Sequence, residues 1–263
     1  DQQRCLDPTV LLSFVKETQP KEWAYLKNIT KGKAEEILLD SLCRALNSKY
    51  EGCLMVLRHG FKCFGKLFHV AYFKPASGLN PETQKLYAAN RLTVTRQLPY
   101  SNKHNKTLDV VLSLNGIPIA TAELKNPMTG QICRDAVYQY KNDRDPRDLM
   151  FQFKKRTLVH FAVDTDEVYM ITQLAGKSTY FLPFNKGDGT GAGNPENPEG
   201  YKTAYLWEQV WQRDSFLDIV ARFIHIEIKE TKLGNIRVRK EKMIFPRYHQ
   251  LDSVRKLVGD ARI

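Results

Sequence analysis

Three charged groups interrupt an otherwise apolar stretch, Leu108 to Lys125 (LDVVLSLNGIPIATAELK). Asp109 stands near its start and Glu123 and Lys125 at its end. Burying two carboxylates and a lysine is costly unless they pair or hold a metal. The residue types suit a metal-dependent nuclease. Mg²⁺ takes oxygen ligands, often one or two carboxylates with water and phosphate oxygens filling the rest. The metal polarises the scissile phosphate, and a lysine beside it orients the attacking water and stabilises developing negative charge. The plainer alternative is a surface ion pair between Glu123 and Lys125. Glu-x-Lys occurs about once by chance at this composition, and it recurs at Glu227-Ile228-Lys229. There, Asp214 and Asp218 lie upstream in a predicted helix with no hairpin between.

The elements around the first set decide its standing. Asn115-Gly116 joins two apolar runs, a strong two-residue hairpin signal. Glu123 and Lys125 are two residues apart and so share a strand face. A strict two-residue turn pairs Leu114 with Ile117, hence Asp109 with Ala122, and turns Asp109 away from Glu123. A shared face requires a one-residue offset, from a three-residue turn or a β-bulge. The nuclease reading therefore predicts an irregularity between residues 109 and 123.

Upstream, Asp7 and Pro8 open a predicted helix to Lys16, with Val10, Leu11, Phe14 and Val15 on its apolar face. A second helix is predicted over Lys33 to Ser48, with Ala34, Leu38, Leu42 and Ala45 on one stripe. Its Glu35 and Glu36 either complement the helix dipole or reach the metal site. A strand is expected at Leu67 to Phe73. A helix capped by Asn80 runs from Pro81 to Ala89, and an alternating strand spans Arg91 to Leu98 with Arg91 and Arg96 exposed. Ser101 to Lys106 is a polar turn.

Beyond the hairpin, a helix is expected from Gln131 to Asn142. Strands follow at Leu158–Val163 and Glu167–Thr172, joined by Asp164-Thr165-Asp166 and preceded by the basic run Lys154-Lys155-Arg156. Gly187 to Gly200 forms a Gly/Pro/Asn loop. Ala204 to Ile224 is the longest predicted helix, although Arg213 falls on its apolar stripe. Past Ile228 the chain turns basic and polar, as a linker or DNA-facing segment would.

The totals fit this picture. The 263 residues include 42% hydrophobic and 26% charged residues, ordinary for a globular protein with a sizeable core. No apolar run approaches the ~20 residues of a membrane span, and no secretory signal pattern opens the chain. Net charge is +11, which favours a polyanionic partner such as nucleic acid or serves solubility alone. The five cysteines (5, 43, 53, 63 and 133) form no C-x-x-C. They read as reduced, mostly buried thiols of a cytoplasmic protein. Ala175-Gly176-Lys177-Ser178 and Gly187-x-Gly189-x-Gly191 mimic phosphate loops without the required strand–loop–helix context. The histidines show no ligand spacing, and no serine or cysteine sits in a nucleophile motif.

Several stretches resemble the N-terminal nuclease part of the restriction (R, motor) subunit of type I restriction–modification enzymes. They are YFKPASGLNPETQKLYAANRL, LDVVLSLNGIPIATAELKNP, DAVYQYKNDRDP, LVHFAVDTDEVYMIT and PRYHQLDSVRKL. The resemblance implies an α/β fold of the PD-(D/E)xK restriction-endonuclease type, a mixed central sheet flanked by helices. Asp109, Glu123 and Lys125 would be its catalytic set, Asp109 and Glu123 its Mg²⁺ ligands, with Leu108 in place of the motif's proline. Gln139 matches the glutamine of an accessory Q-x-x-x-Y motif, but Asp143 stands where the tyrosine belongs. Glu36 or Glu35 matches an accessory early-helix acid.

In the same resemblance PRYHQLDSVRK opens an ATP-driven, helicase-like motor. Gln250 would recognise adenine with Tyr248 nearby, and a phosphate loop is expected beyond Ile263, so that ATP is used only by the full-length subunit. The implied organisation is an endonuclease domain over 1–230, then a linker and the start of the motor over 231–263. Double-stranded DNA and the methylation and specificity subunits would be its partners. The rivals are a non-catalytic DNA-binding or assembly module on a nuclease fold, and a junction or repair nuclease of the same superfamily.

Overall fold

The computed structural model describes residues 1–189, 191–233 and 236–261. Thr190 of the glycine-rich loop, Gly234 and Asn235 of the basic segment, and the final Arg262 and Ile263 lie outside the described residues.

Four helices open the chain: α1 (Pro8–Thr18), α2 (Pro20–Ile29), α3 (Ala34–Asn47) and α4 (Gly52–His59). Asp7 caps α1 by accepting from the backbone N–H groups of Thr9 and Val10. The expected α1 and α3 are present, whereas α2 and α4 carry no clear signature in the sequence. A small hairpin, β1 (Phe61–Cys63) and β2 (Lys66–Phe68), replaces the strand expected at Leu67 to Phe73. Past Phe68 that run leaves the ladder and packs Val70 and Ala71 into the core instead. Helix α5 (Pro81–Ala88) follows, with the Asn80 side chain accepting from Glu82 N at 3.0 Å.

The main sheet has six strands in sequential order, β3 (Leu92–Pro99), β4 (Thr107–Leu114), β5 (Ile117–Leu124), β6 (Val159–Val163), β7 (Val168–Ile171) and β8 (Leu182–Pro183). Only β5 and β6 run parallel, so the sheet is mixed. Their crossover carries α6 (Cys133–Asn142), as a parallel connection requires. Alternation divides the central strands between two cores. Val110, Leu112, Ala120 and Ala122 join α1, α3 and α4 on one face. Val111 meets Cys133, Ala136 and Tyr140 of α6 on the other. This is the expected mixed sheet flanked by helices, and it is compatible with a nuclease-like fold.

Two C-terminal expectations are corrected. The helix expected over Ala204 to Ile224 is broken into a π-helical turn (Leu206–Val210), α7 (Arg213–Asp218) and a second π-helical turn (Ile219–Phe223). Arg213, misplaced on an unbroken apolar stripe, starts α7 and donates to Tyr87 O instead. The polar run after Ile228, expected as a linker or a DNA-facing segment, forms a two-stranded antiparallel ribbon, β9 (His225–Leu233) and β10 (Ile236–Ile244). Residue 230, the expected boundary, thus falls inside a strand. Beyond it α8 (Tyr248–Asp260) returns to the body, and Met243, Phe245 and Leu251 join the main core. Among the described residues no helix is long and apolar enough to cross a membrane. The five cysteines are unbridged, and four of them are buried.

Candidate active site

The Asn115-Gly116 turn holds both central residues at positive φ, 50° and 83°, as the tightest two-residue hairpin turn demands. Leu114 pairs with Ile117 and Ser113 with Pro118. The ladder then slips by one: Leu112 pairs with Ala120, leaving Ile119 as the extra residue, and Val110 pairs with Ala122. Carried one step further, this register sets Asp109 opposite Glu123. The predicted irregularity is therefore present, as a β-bulge and not as a longer turn. Bulges re-aim side chains in this way next to functional sites.

Both carboxylates face α6. Asp109 is half-buried; its Oδ1 accepts from Gln97 Nε2 at 2.9 Å and its Oδ2 from Leu124 N at 2.9 Å. Glu123 is fully buried. Its Oε1 accepts from Arg144 Nε at 2.8 Å and from the second guanidinium nitrogen at 2.5 Å. Its Oε2 is buried with no hydrogen-bond partner. Burial, outweighing the pull of Arg144 and reinforced by the neighbouring Asp109, pushes the Glu123 carboxyl up to about 7. Burial works against the charge of Arg144, but Glu123 and Tyr100 outweigh it, and its pKa lies above the ordinary value.

Arg144 follows α6 directly and is 4% exposed. It also donates to Thr107 O at 2.8 Å, and its guanidinium lies over the Tyr100 ring. Thr107 donates in turn to Gln97 Oε1 at 2.8 Å. The supports of the two carboxylates therefore meet at Thr107. Beneath them Thr121, on the same face of β5 as Glu123, bridges Tyr140 Oη and His160 Nδ1, both at 2.8 Å. Burial lowers His160 to about 3, so this layer is neutral.

Lys125 lies one residue past β5, and its backbone N–H extends the parallel ladder to Val163 O at 2.8 Å. Its ammonium makes no ion pair among the described residues, so the Glu123–Lys125 surface pair does not form. By contrast Glu227 and Lys229 do form an exposed ion pair, at 3.4 Å.

The other sequence candidates lie apart. Gln139 is half-buried on α6, with no side-chain hydrogen bond to Asp109, Glu123 or Lys125 among the described residues. Glu35 pairs with Lys16 at 2.6 Å, and Glu36 lines a surface hollow with Lys16, Trp23 and Lys27. Tyr248 packs edge-on against Phe184 and Tyr205. The Gln250 side-chain Oε1 accepts from Arg247 N at 2.9 Å and so caps α8. Arg144 and Gln97 belong to no motif; the only signal for Arg144 was its place in the DAVYQYKNDRDP stretch.

The orphaned Oε2 beside Asp109 fits a cation: it is an oxygen that burial penalises unless something positive meets it. Asp109 and Glu123 are the residues that would hold Mg²⁺. Among the described residues no group of three or more acidic, histidine or cysteine side chains gathers as a ready metal site, so protein ligands beyond these two carboxylates are not supplied.

The mixed α/β sheet thus carries two facing carboxylates at the end of its central hairpin. A model of the family described as Type I restriction enzyme R protein N terminus matches residues 14–179, and the chain belongs to that family. The match spans Gln97, Asp109, Glu123, Lys125 and Arg144 and ends before the β9–β10 ribbon. No curated protein matches the chain.

Proposed function

We propose that this chain is the Mg²⁺-dependent DNA endonuclease region of a type I restriction enzyme R subunit. The observation that carries the proposal is the bulge at Ile119, which sets Asp109 opposite Glu123 and leaves a buried carboxylate oxygen bare. Asp109 is held in one orientation by Gln97 and Leu124 N, and Glu123 by Arg144. Such fixed ligands lose little freedom when a cation arrives. Bound Mg²⁺ supplies Lewis-acid polarisation of the scissile phosphate. Lys125, which makes no ion pair among the described residues, is available to orient the attacking water and to stabilise negative charge developing on the phosphate. The Glu123 carboxyl must shed its proton to bind metal, so occupancy rises with pH through about 7.

Duplex DNA is the substrate under this reading, consistent with the net charge of +11. Sequence choice and methylation belong to the partner subunits, and cleavage follows ATP-driven translocation by a motor for which 231–263 is the entry. The protein works in the cytoplasm, where such partners meet DNA.

One observation favours the rival, a non-catalytic DNA-binding or assembly module: Arg144 already occupies Glu123 Oε1. A Lys125→Ala variant separates the two. In the reconstituted complex the endonuclease reading expects lost cleavage with retained DNA binding; unchanged cleavage excludes it.

A further inference from the structure

Gln97 is the one residue of β3 held in the left-handed region, at φ 49°. A side chain other than glycine is strained there. The β3–β4 ladder skips it: Arg96 pairs with Val110 and Leu98 with Leu108, and the register position between them belongs to Gln97 and Asp109. Gln97 is exposed on this edge strand, while the following Leu98 packs against the α6-side core. What the conformation achieves is a contact. The amide Nε2 donates to Asp109 Oδ1 at 2.9 Å, while Oε1 accepts from Thr107 Oγ1 at 2.8 Å. The acceptor-only carboxylate requires the NH₂ end of the amide, and the Thr107 hydroxyl, which can donate or accept, satisfies the other end. With Oδ2 taken by Leu124 N, both oxygens of Asp109 are anchored. The remaining lone pair of each carboxylate oxygen then has a set direction.

We infer that Gln97 is a positioning residue for the metal site, its strained backbone serving to aim an amide clamp at Asp109. Strain persists where the surroundings over-determine it, and it clusters at functional sites. Outer partners of metal ligands matter nearly as much as the ligands themselves. The inference rests on the two-carboxylate metal reading above. It assigns a role to a residue outside Asp…Glu-x-Lys.

Glycine at 97 removes the clamp and the strain together, and leucine removes the clamp but keeps the strain. Mg²⁺ alone is titrated calorimetrically, at a pH above 7, into the wild-type chain and the Gln97→Gly, Gln97→Leu and Asp109→Asn variants. Thermal midpoints are recorded without metal. The expected result is Mg²⁺ affinity lowered about 10-fold or more in both Gln97 variants, with the midpoint of Gln97→Gly at or above wild type. A merely structural edge residue would move the midpoint and leave the affinity alone. Unchanged Mg²⁺ affinity in both Gln97 variants, with binding lost in Asp109→Asn, overturns the clamp and leaves the metal site standing. Binding that Asp109→Asn leaves intact, or no binding by the wild type, overturns the metal reading and the clamp with it.

Discussion

At the scale of single residues, the site is defined by what each carboxylate oxygen touches. Glu123 combines complete burial, one bidentate arginine and one bare oxygen. Its folded-state pKa, about 7, lies above the usual carboxylate value. Its contribution to stability is therefore present in full at acid pH, below the unfolded-state pKa, and is lost as pH rises through about 7. A Glu123→Gln variant escapes that loss. Relative to wild type it should gain on the order of 3 kcal/mol between pH 4.5 and 8, read from urea unfolding without metal. A stability difference that does not change with pH would contradict the assignment. Asp109 and Glu123, which the ladder register sets opposite each other, stood out in the sequence because charge in an apolar run is conspicuous. Their spacing alone was not enough: Glu-x-Lys stands at residues 123, 227 and 230. Arg144 and Gln97 were not legible. Arginine after a helix and glutamine in an alternating strand are common, and only tertiary register reveals their partners.

At the scale of elements, the β4–β5 hairpin sets the geometry. Period-two arithmetic on Asp109 and Glu123 required a one-residue slip, and the slip sits at Ile119. The turn is also fixed from outside. Asn115 is fully buried, donates to Val70 O at 2.8 Å and accepts from Arg91 N at 2.7 Å. Gly116 O accepts from Asp7 N at 2.8 Å, and a Cβ on Gly116 would lie 2.3 Å from Asp7 O. Gly116→Ala should therefore cost more than ~1 kcal/mol of stability, measured by thermal or urea unfolding. A neutral substitution would mean that the α1 entry does not clamp the turn. The elements misread from sequence share one cause. The long helix was inferred from a local apolar stripe, and the linker or DNA-facing segment from local composition. Backbone breaks around Trp211 and Gln212, and strand pairing between His225 and Ile244, depend on neighbours far along the chain.

At the scale of the molecule, the family match ends at residue 179 but the core does not. Phe184, Tyr205, Leu206, Phe216, Met243, Phe245 and Leu251 all belong to the cluster that lies under the sheet. Phe245 packs edge-on against Phe161 of β6 and against Phe184. The segment beyond the ribbon is thus built into the body that carries the candidate site. Phe245→Ala should cost about 3–5 kcal/mol while unfolding stays a single transition. A separate early transition would show that α8 melts independently. Family membership was legible because several resembling stretches fall between residues 72 and 172, inside the matched region. The packing of α8 was not, since its apolar positions read equally well as the start of another domain.

The central claim is that Asp109 and Glu123 together hold the metal that breaks DNA. Its most direct test is cleavage of circular duplex DNA by the complete restriction complex carrying Asp109→Asn, with ATP hydrolysis followed in the same reaction. The account predicts that cleavage is abolished while DNA-dependent ATP hydrolysis continues at the wild-type rate. Cleavage at the wild-type rate by the Asp109→Asn complex would contradict it.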